Sequence, residues 1–441
     1  METAYQKQFE RHSRGGPSWL VKLRQNGMDR FLKLGFPTPD LEEWRFTNVR
    51  PLVETAFEAA TEEGLAKITP DQMENLKHLP LNPMEGCDLV FVNGHFSPRL
   101  SSIFNLPRGV RVESLKRVLR EEPERVEPFL GRLSAIDQQP FAALNTAFID
   151  DGAYVFLPKG TSFKHPIHLV FLSYPNGQAT LSHPRNLIVL EDFSEAAVVE
   201  SHVGLGKTPY FNNPLTEISL GEAARLEHYK LQGESEAAFH FSSADARIKR
   251  AARFTSHAIS LGARLSRSDL HASLDAEGSE CSLNGLYLAA GSQHVDHHTV
   301  IDHACPHGLS EELYKGILSE KAHGVFDGKI IVRPGASKTQ ARQTNKNLLL
   351  SDDAVVNTKP LLEIFNNDVK CNHGATIGRL DLNQIFYLRS RGVSEERAKN
   401  MLTTAFAGDV LSQMKIRSIR ARLEEMISIR LMRGRRISEG A

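Results

Sequence analysis

The stretches "ISLGEAARLEHYKL" (residues 218–231) and "ISLGARLSRSDLHA" (residues 259–272) decide the reading of the fold. Both open on Ile-Ser-Leu-Gly, and Ile259 follows Ile218 by 41 residues. Taken as two turns, that interval predicts a solenoid with ~20 residues per coil. The neighbouring segments support a strand-only region: "AYVFLPKG", "IHLVFLSY", "NLIVLEDF", "AAVVESHVG" and "TEISLG" are short, β-rich and separated by Gly, Asp, Asn and Pro. No helix-length amphipathic pattern intervenes, so βαβ crossovers and a doubly wound sheet are disfavoured. Most of the turns also lack a hairpin signature. A parallel β-solenoid needs none, because each coil stacks on the last instead of folding back; a β-sandwich is the competing architecture.

Outside this region the period is helical. "PSWLVKLRQNGMDRFLKLG" offers Pro17 and Ser18 at a helix start and Gly35 at its stop. In "FPTPDLEEWRFTN", Asp40 can cap a short helix carrying Trp44. "DLVFVNGHF" alternates like a strand and turns at Asn93-Gly94, and a charged helical stretch, "VESLKRVLREEPERVEPFLGRL", follows. Beyond "VKCNHGATIG" (residues 369–378), Asp381 caps a helix that Gly392 stops, with Leu382, Ile385 and Phe386 on one face. Ser394 opens the next helix, with Glu395 and Glu396 in its first turn. Ala398, Met401, Leu402, Ala405 and Phe406 form its apolar stripe. A last helix runs from about Met414 to Leu431. The organisation expected is an N-terminal helical region (1–87), a mixed connection (88–137), the solenoid (138–374) and a C-terminal helical region (375–441).

Composition narrows the function classes. Lys+Arg and Asp+Glu are both 53, which argues against nucleic acid or an anionic membrane as partner. No apolar run approaches the roughly 18 residues of a membrane helix, and the N-terminus has no signal-like apolar core. The four cysteines (Cys87, Cys281, Cys305 and Cys371) are scattered without a CxxC pair, so reduced cytoplasmic thiols are expected. At "GLGKTP", Gly206, Lys207 and Thr208 spell the end of a phosphate loop. The glycine needed five positions earlier is Ser201, however, which excludes nucleotide hydrolysis by a P-loop here.

The densest chemical cluster is "HVDHHTVIDHACPH" (residues 294–307). His294, His298, His303 and Cys305 are types that ligate zinc or iron. On a strand, though, His294 and His298 face one way and His297 and His303 the other, so they cannot all converge. A solenoid face or subunit contact is the ordinary reading. The basic C-terminus, with eight Lys or Arg in "KIRSIRARLEEMISIRLMRGRR", reads first as a solvated helix face or protein contact. In "VKCNHGATIG", Cys371 and His373 project to the same side if the chain is extended. The pair could be a thiolate nucleophile with its base, two soft metal ligands, or a structural junction between strand and helix. Two ligands cannot close a four-ligand iron–sulfur site.

"GVFDGKIIVRPGASKTQARQTNKNLLLSDDAVVNTKPLLEI", followed by "DVKCNHGATIG", "FYLRSRG" and "AFAGDVL", closely resembles the SufB/SufD family of iron–sulfur cluster assembly proteins. The likeness runs from about Gly285 to Val410 and extends to "HVDHHTVIDH". "LEEWRFTN" sets the chain apart from the SufB type, as does the lack of an N-terminal cysteine motif that many SufB chains carry. The resemblance implies a right-handed parallel β-helix between helical ends and no catalysis by the chain itself. It implies pairing with SufB through the β-helix, binding of the SufC ATPase through the C-terminal helices at Met401, Leu402, Ala405 and Phe406, and a possible homodimer when isolated. His373, with Cys371 beside it, would then help hold a nascent cluster at the SufB interface. No tightly bound cofactor is implied for the isolated chain, and reduced flavin is possible in the complex. The alternatives are a β-helix enzyme acting on carbohydrate, or a stand-alone metal protein using residues 294–307.

Overall fold

The computed structural model describes residues 2–12, 15–60, 87–103, 105–134, 136–175 and 177–436. The helix-and-loop reading of residues 61–86 lies outside them. Two large, mainly parallel sheets face each other, and successive strands alternate between them. Among the described residues one sheet has 12 strands and the other 10, and antiparallel pairing is limited to their N-terminal ends: the hairpin turning at Asn93-Gly94, the pairing of Arg111–Ser114 with Ala153–Leu157 and an isolated bridge between Asp88 and Ser102. This is a parallel β-solenoid, as the strand-only pattern predicts.

Its coil is longer than the 41-residue echo suggests. In the first sheet the register runs Arg185, Leu215, Ser243, Asp269, His298, Asp327, Lys359, giving steps of 30, 28, 26, 29, 29 and 32 residues. Ile218 and Ile259 therefore do not stack. The first lies on Leu215–Leu220 of one sheet and the second on Arg253–Ser260 of the other, about one and a half coils apart.

Each coil turns one corner the same way. Phe193, Ala223, Ala251, Gly278, His307 and Lys338 all have positive φ, between 51° and 68°. Their amides donate to carbonyls one coil further on: Glu222, Arg250, Glu277, Pro306, Ser337 and Asp368. A small side chain follows each one, at Ser194, Ala224, Ala252, Ser279, Gly308 and Thr339. At Gly308 a Cβ would come 2.5 Å from His303 Nδ1, so glycine is required there.

The strands read as nearly continuous apolar runs because both of their faces are buried. Inward side chains of both sheets, among them Val198, Leu226, Phe254, Leu283, Ile218, Ile301 and Ile330, form one axial core. The outer face of the first sheet is covered by N-terminal elements: Phe31, Trp44 and Phe141 pack on Phe239 and Phe241, with Phe141 stacked 4.2 Å over Phe241. Of the N-terminal expectations, helix Ser18–Leu34 and its Gly35 stop hold, whereas Asp40 caps nothing. The short helix Glu42–Trp44 starts from Leu41, and Asp40 accepts from Thr38 instead. The charged stretch ends as a helix at Glu121, where Pro123 enters.

The outer face of the second sheet carries the C-terminal helices Leu382–Ser390, Glu395–Leu411 and Arg417–Arg436. Asp381 and Ser394 cap the first two as expected, accepting from the amides of Asn383 and Arg397. Ala407, Val410, Leu411, Ile419, Leu423 and Ile427 pack onto Tyr229, Leu231, Ile259 and Ile317. Each buried aliphatic side chain there contributes about 1.5–3 kcal/mol. Lys315 pins the junction: its ammonium donates to the Phe406 carbonyl and Asp409, 4.3 Å from the centre of the Phe406 ring.

Candidate functional site

Strand Lys370–Gly378 ends the second sheet. It pairs with Gln340–Leu349 on one side and, among the described residues, with no strand on the other. Val355–Ile364 ends the first sheet in the same way. Together they leave the lumen of the solenoid open at one end. Almost every residue of Lys370–Gly378 is exposed, and Val355, Ile364, Phe365 and Ile377 add an apolar rim. A long, flat, partly apolar edge is a template for another chain.

The register shows what faces into the mouth. Inward positions of the second sheet form columns, because parallel in-register strands stack like on like. One column runs Ala196, Leu226, Phe254, Cys281, Ser310, Ala341, Cys371. The next runs Val198, His228, Ser256, Leu283, Glu312, Gln343, His373. Cys371 and His373 therefore lie on the same face, the extended geometry that the spacing required, and both belong to the lumen end. Cys371 is half-buried against the axial core. Burial pushes its thiol pKa up, only partly offset by the Ala341 backbone. A nucleophile needs a lowered thiol pKa, so this environment does not build one. Two soft, accessible donors at an open end suit an incomplete ligand set instead.

Behind them the lumen is polar. Gln343 Nε2 donates to Glu312 Oε2 at 2.7 Å, and Tyr287, Asn347, Asn345 and Thr358 form a hydrogen-bonded row beside them. Burial pushes the Glu312 carboxyl up to about 7, only partly offset by the neighbouring Thr299 hydroxyl and the Gln343 amide. Neither Glu312 nor Gln343 stood out in the sequence. Only the coil register, which brings residues about 30 apart into one column, relates them to His373.

The histidine-rich strand His294–His303 divides as alternation demands. His297 and His303 point into the lumen, where burial lowers their pKa values to about 3 and about 4. His294 and His298 point outward onto the N-terminal cover. There Asp296 accepts from Thr47 (2.6 Å) and lies 3.0 Å from His298 Nε2 and 3.3 Å from the Arg267 guanidinium, which stacks 3.7 Å from the Trp44 ring centre. Burial lowers the His294 pKa to about 4; for His298 burial is outweighed by Asp296 and the net shift is upward. Cys305 lies at a coil corner, its thiol donating to the Asp275 carbonyl. His294, His298, His303 and Cys305 are thus not brought together, and among the described residues no group of three or more His, Cys, Asp or Glu could hold a metal ion. No described helix is long and apolar enough to cross a membrane.

On the C-terminal helices the apolar stripe divides. Ala398 is buried and Phe406 packs partly against the helix–sheet core, but Met401 and Ala405 are exposed and Leu402 is half-buried. The buried face is instead Ala398, Thr403, Ala407, Val410 and Leu411. On the preceding helix Ile385 is buried, while Leu382 (78% exposed), Phe386 (73%) and Tyr387 (57%) face solvent. The 3.6-residue period identified an apolar face there without saying what covers it.

The architecture defines a class: a β-solenoid protein with ligand-type side chains at its uncapped end and helices along one flank. The chain belongs to the SufBD family of the SUF system for iron–sulfur cluster assembly. Its residues 173–406 match the SufBD core domain and residues 2–169 the SufBD N-terminal region. A SufBD family protein of Synechocystis is 36% identical over 94% of this chain and 91% of its own length. SufD of Escherichia coli is 30% identical over 93% of each chain, and SufD of Bacillus subtilis 26% over 97% of each.

Proposed function

We propose that the chain is a non-catalytic, cytoplasmic scaffold subunit whose cargo, a nascent iron–sulfur cluster, is built at the open end of the solenoid. His373 supplies one ligand and Cys371 stands beside it. A second solenoid subunit, SufB, pairs with the exposed edges of Val355–Ile364 and Lys370–Gly378 and brings the missing ligands. The SufC ATPase docks on the C-terminal helices at Met401 and its exposed neighbours. The observation that carries this reading is the placement of two soft donors, too few for a closed site, on an unpaired strand edge with an apolar rim.

The test is co-expression with SufB and SufC, followed by light scattering and iron and sulfide analysis of the purified complex. The wild-type chain should form a complex that accumulates cluster. His373→Ala should form the same complex without cluster. Normal cluster build-up by that variant refutes the role of His373. Isolation of the chain as a stable homodimer that excludes SufB refutes the pairing.

A further inference from the structure

We infer that Gln343 and Glu312 are positioning residues for His373: Gln343 offers its open carbonyl oxygen to one imidazole nitrogen when the exposed His373 ring turns inward, and Glu312 fixes the amide so that it can. This rests on the cluster-holding role proposed for His373. The three residues occupy consecutive strands of one lumen column, so each lies about 4.8 Å from the next along the sheet.

Three features select the orientation of the Gln343 amide. Its Nε2 donates to Glu312 Oε2 at 2.7 Å, and that oxygen accepts whether or not the carboxyl carries a proton. On the facing sheet, Gly328 leaves the space the amide needs; a Cβ there would come 2.4 Å from Gln343 Nε2. Gln343 Oε1 is buried and has no hydrogen-bond partner among the described residues, although Gln343 itself is only 1% exposed. An unpaired buried carbonyl oxygen costs roughly 1–3 kcal/mol, so its retention one strand from the His373 imidazole calls for a donor. The register neighbour on its open side is His373.

The chemistry is that of ligand support. An imidazole that ligates a metal through one nitrogen commonly donates its other N–H to a fixed acceptor, which sets tautomer and ring orientation. Here the acceptor is an amide, and an acid anchors the amide from behind. The ring is thereby selected in one neutral tautomer before any cluster arrives.

The experiment is nitrogen NMR of the isolated, metal-free chain labelled in its histidine rings, at a pH where His373 is neutral, with His373→Ala providing the assignment. Wild type should show one dominant tautomer. Gln343→Leu should shift the tautomer ratio by about fivefold, the worth of one net hydrogen bond. Glu312→Leu should do the same by freeing the amide to turn. Glu312→Gln should restore the wild-type ratio, because its amide oxygen still accepts from Gln343. An unordered tautomer in wild type, or an unchanged ratio in both leucine variants, overturns the inference. Should Gln343→Leu fail to fold, the contrast between Glu312→Leu and Glu312→Gln decides. The measurement involves no cluster, so it can fail while His373→Ala still abolishes assembly, and the reverse.

Discussion

Replacing Glu312 by glutamine should stabilise the protein at alkaline pH and leave it nearly unchanged in acid. In the folded chain the carboxyl lies in the lumen core and its pKa is pushed up to about 7 from an ordinary 4.5, chiefly by burial. A raised pKa on an acid means the folded state binds the proton more tightly than the unfolded one. Folding stability then falls as pH rises from about 4.5, and the loss is complete above about 7. The rise from 4.5 to about 7, at about 1.36 kcal/mol for each step of one in pKa, sets an upper limit of ~3 kcal/mol on the penalty at pH 8. Glutamine keeps the shape and an oxygen for Gln343 to donate to, but never ionises. The assay is denaturant unfolding of both proteins at pH 5 and pH 8, followed by circular dichroism. Every other titrating group is common to the two and cancels in the comparison. The advantage of Glu312→Gln should grow by about 2–3 kcal/mol between the two pH values. Growth below about 1 kcal/mol, or a wild type that gains on the variant, would refute the burial argument and mean that a charge or solvent reaches Glu312.

The two kinds of apolar residue on the C-terminal helices should separate by mutation. Phe386→Asp and Met401→Asp should leave the melting temperature unchanged while weakening co-purification with SufC. Phe406→Asp should lower stability by about 2 kcal/mol or more, since its ring packs on the helix–sheet core beneath the Lys315 ammonium. A maleimide titration of the native chain should modify Cys305 and Cys371, the latter slowly because its thiol pKa is raised, and spare buried Cys87 and Cys281. Mixing with SufB should then protect Cys371 alone. Ala251→Gly should stabilise by about 1 kcal/mol in thermal melts, because Ala251 holds a left-handed corner at φ 51°.

How much of this was legible in the sequence differs by feature. Alternation along His294–His303 was enough to separate His294 and His298 from His297 and His303, because the period of a strand is fixed by its pleat. The coil length was not legible from the Ile-Ser-Leu-Gly echo, which joins two different sheets. A truer marker lay in the corners, where a left-handed residue is followed by a small one. Its residue types vary (Phe, Ala, Ala, Gly, His and Lys, then Ser, Ala, Ala, Ser, Gly and Thr), because the backbone constraint is met by hydrogen bonds to the next coil rather than by one amino acid. The coil steps also vary from 26 to 32 residues, so no fixed period exists to find. The candidate site was legible as a pair, Cys371 and His373, on its spacing. Its support was not, since Glu312 and Gln343 join it only through a register that no local pattern encodes.

The column that ends at His373 argues that the open end is more than an unfinished terminus. A solenoid lengthens by adding coils with a repeated interior, and this one carries an apolar row through Phe254, Leu283, Ile301 and Ile330 beside polar inward positions such as Glu200, His228 and Ser256. A chain that merely stopped would cap that interior. Here the polar positions run on through Glu312, Gln343, Asn345 and Asn347 to His373 on the last, exposed strand. Buried polar groups of this kind stabilise a fold no better than leucine and cost several kcal/mol wherever a partner is missing. Glu312 Oε1 and Gln343 Oε1 are such places. The expense falls just behind Lys370–Gly378, an edge strand whose side chains are exposed. Polar interior, unpaired edge and apolar rim make sense together when a second subunit completes the lumen, and separately each would be a defect.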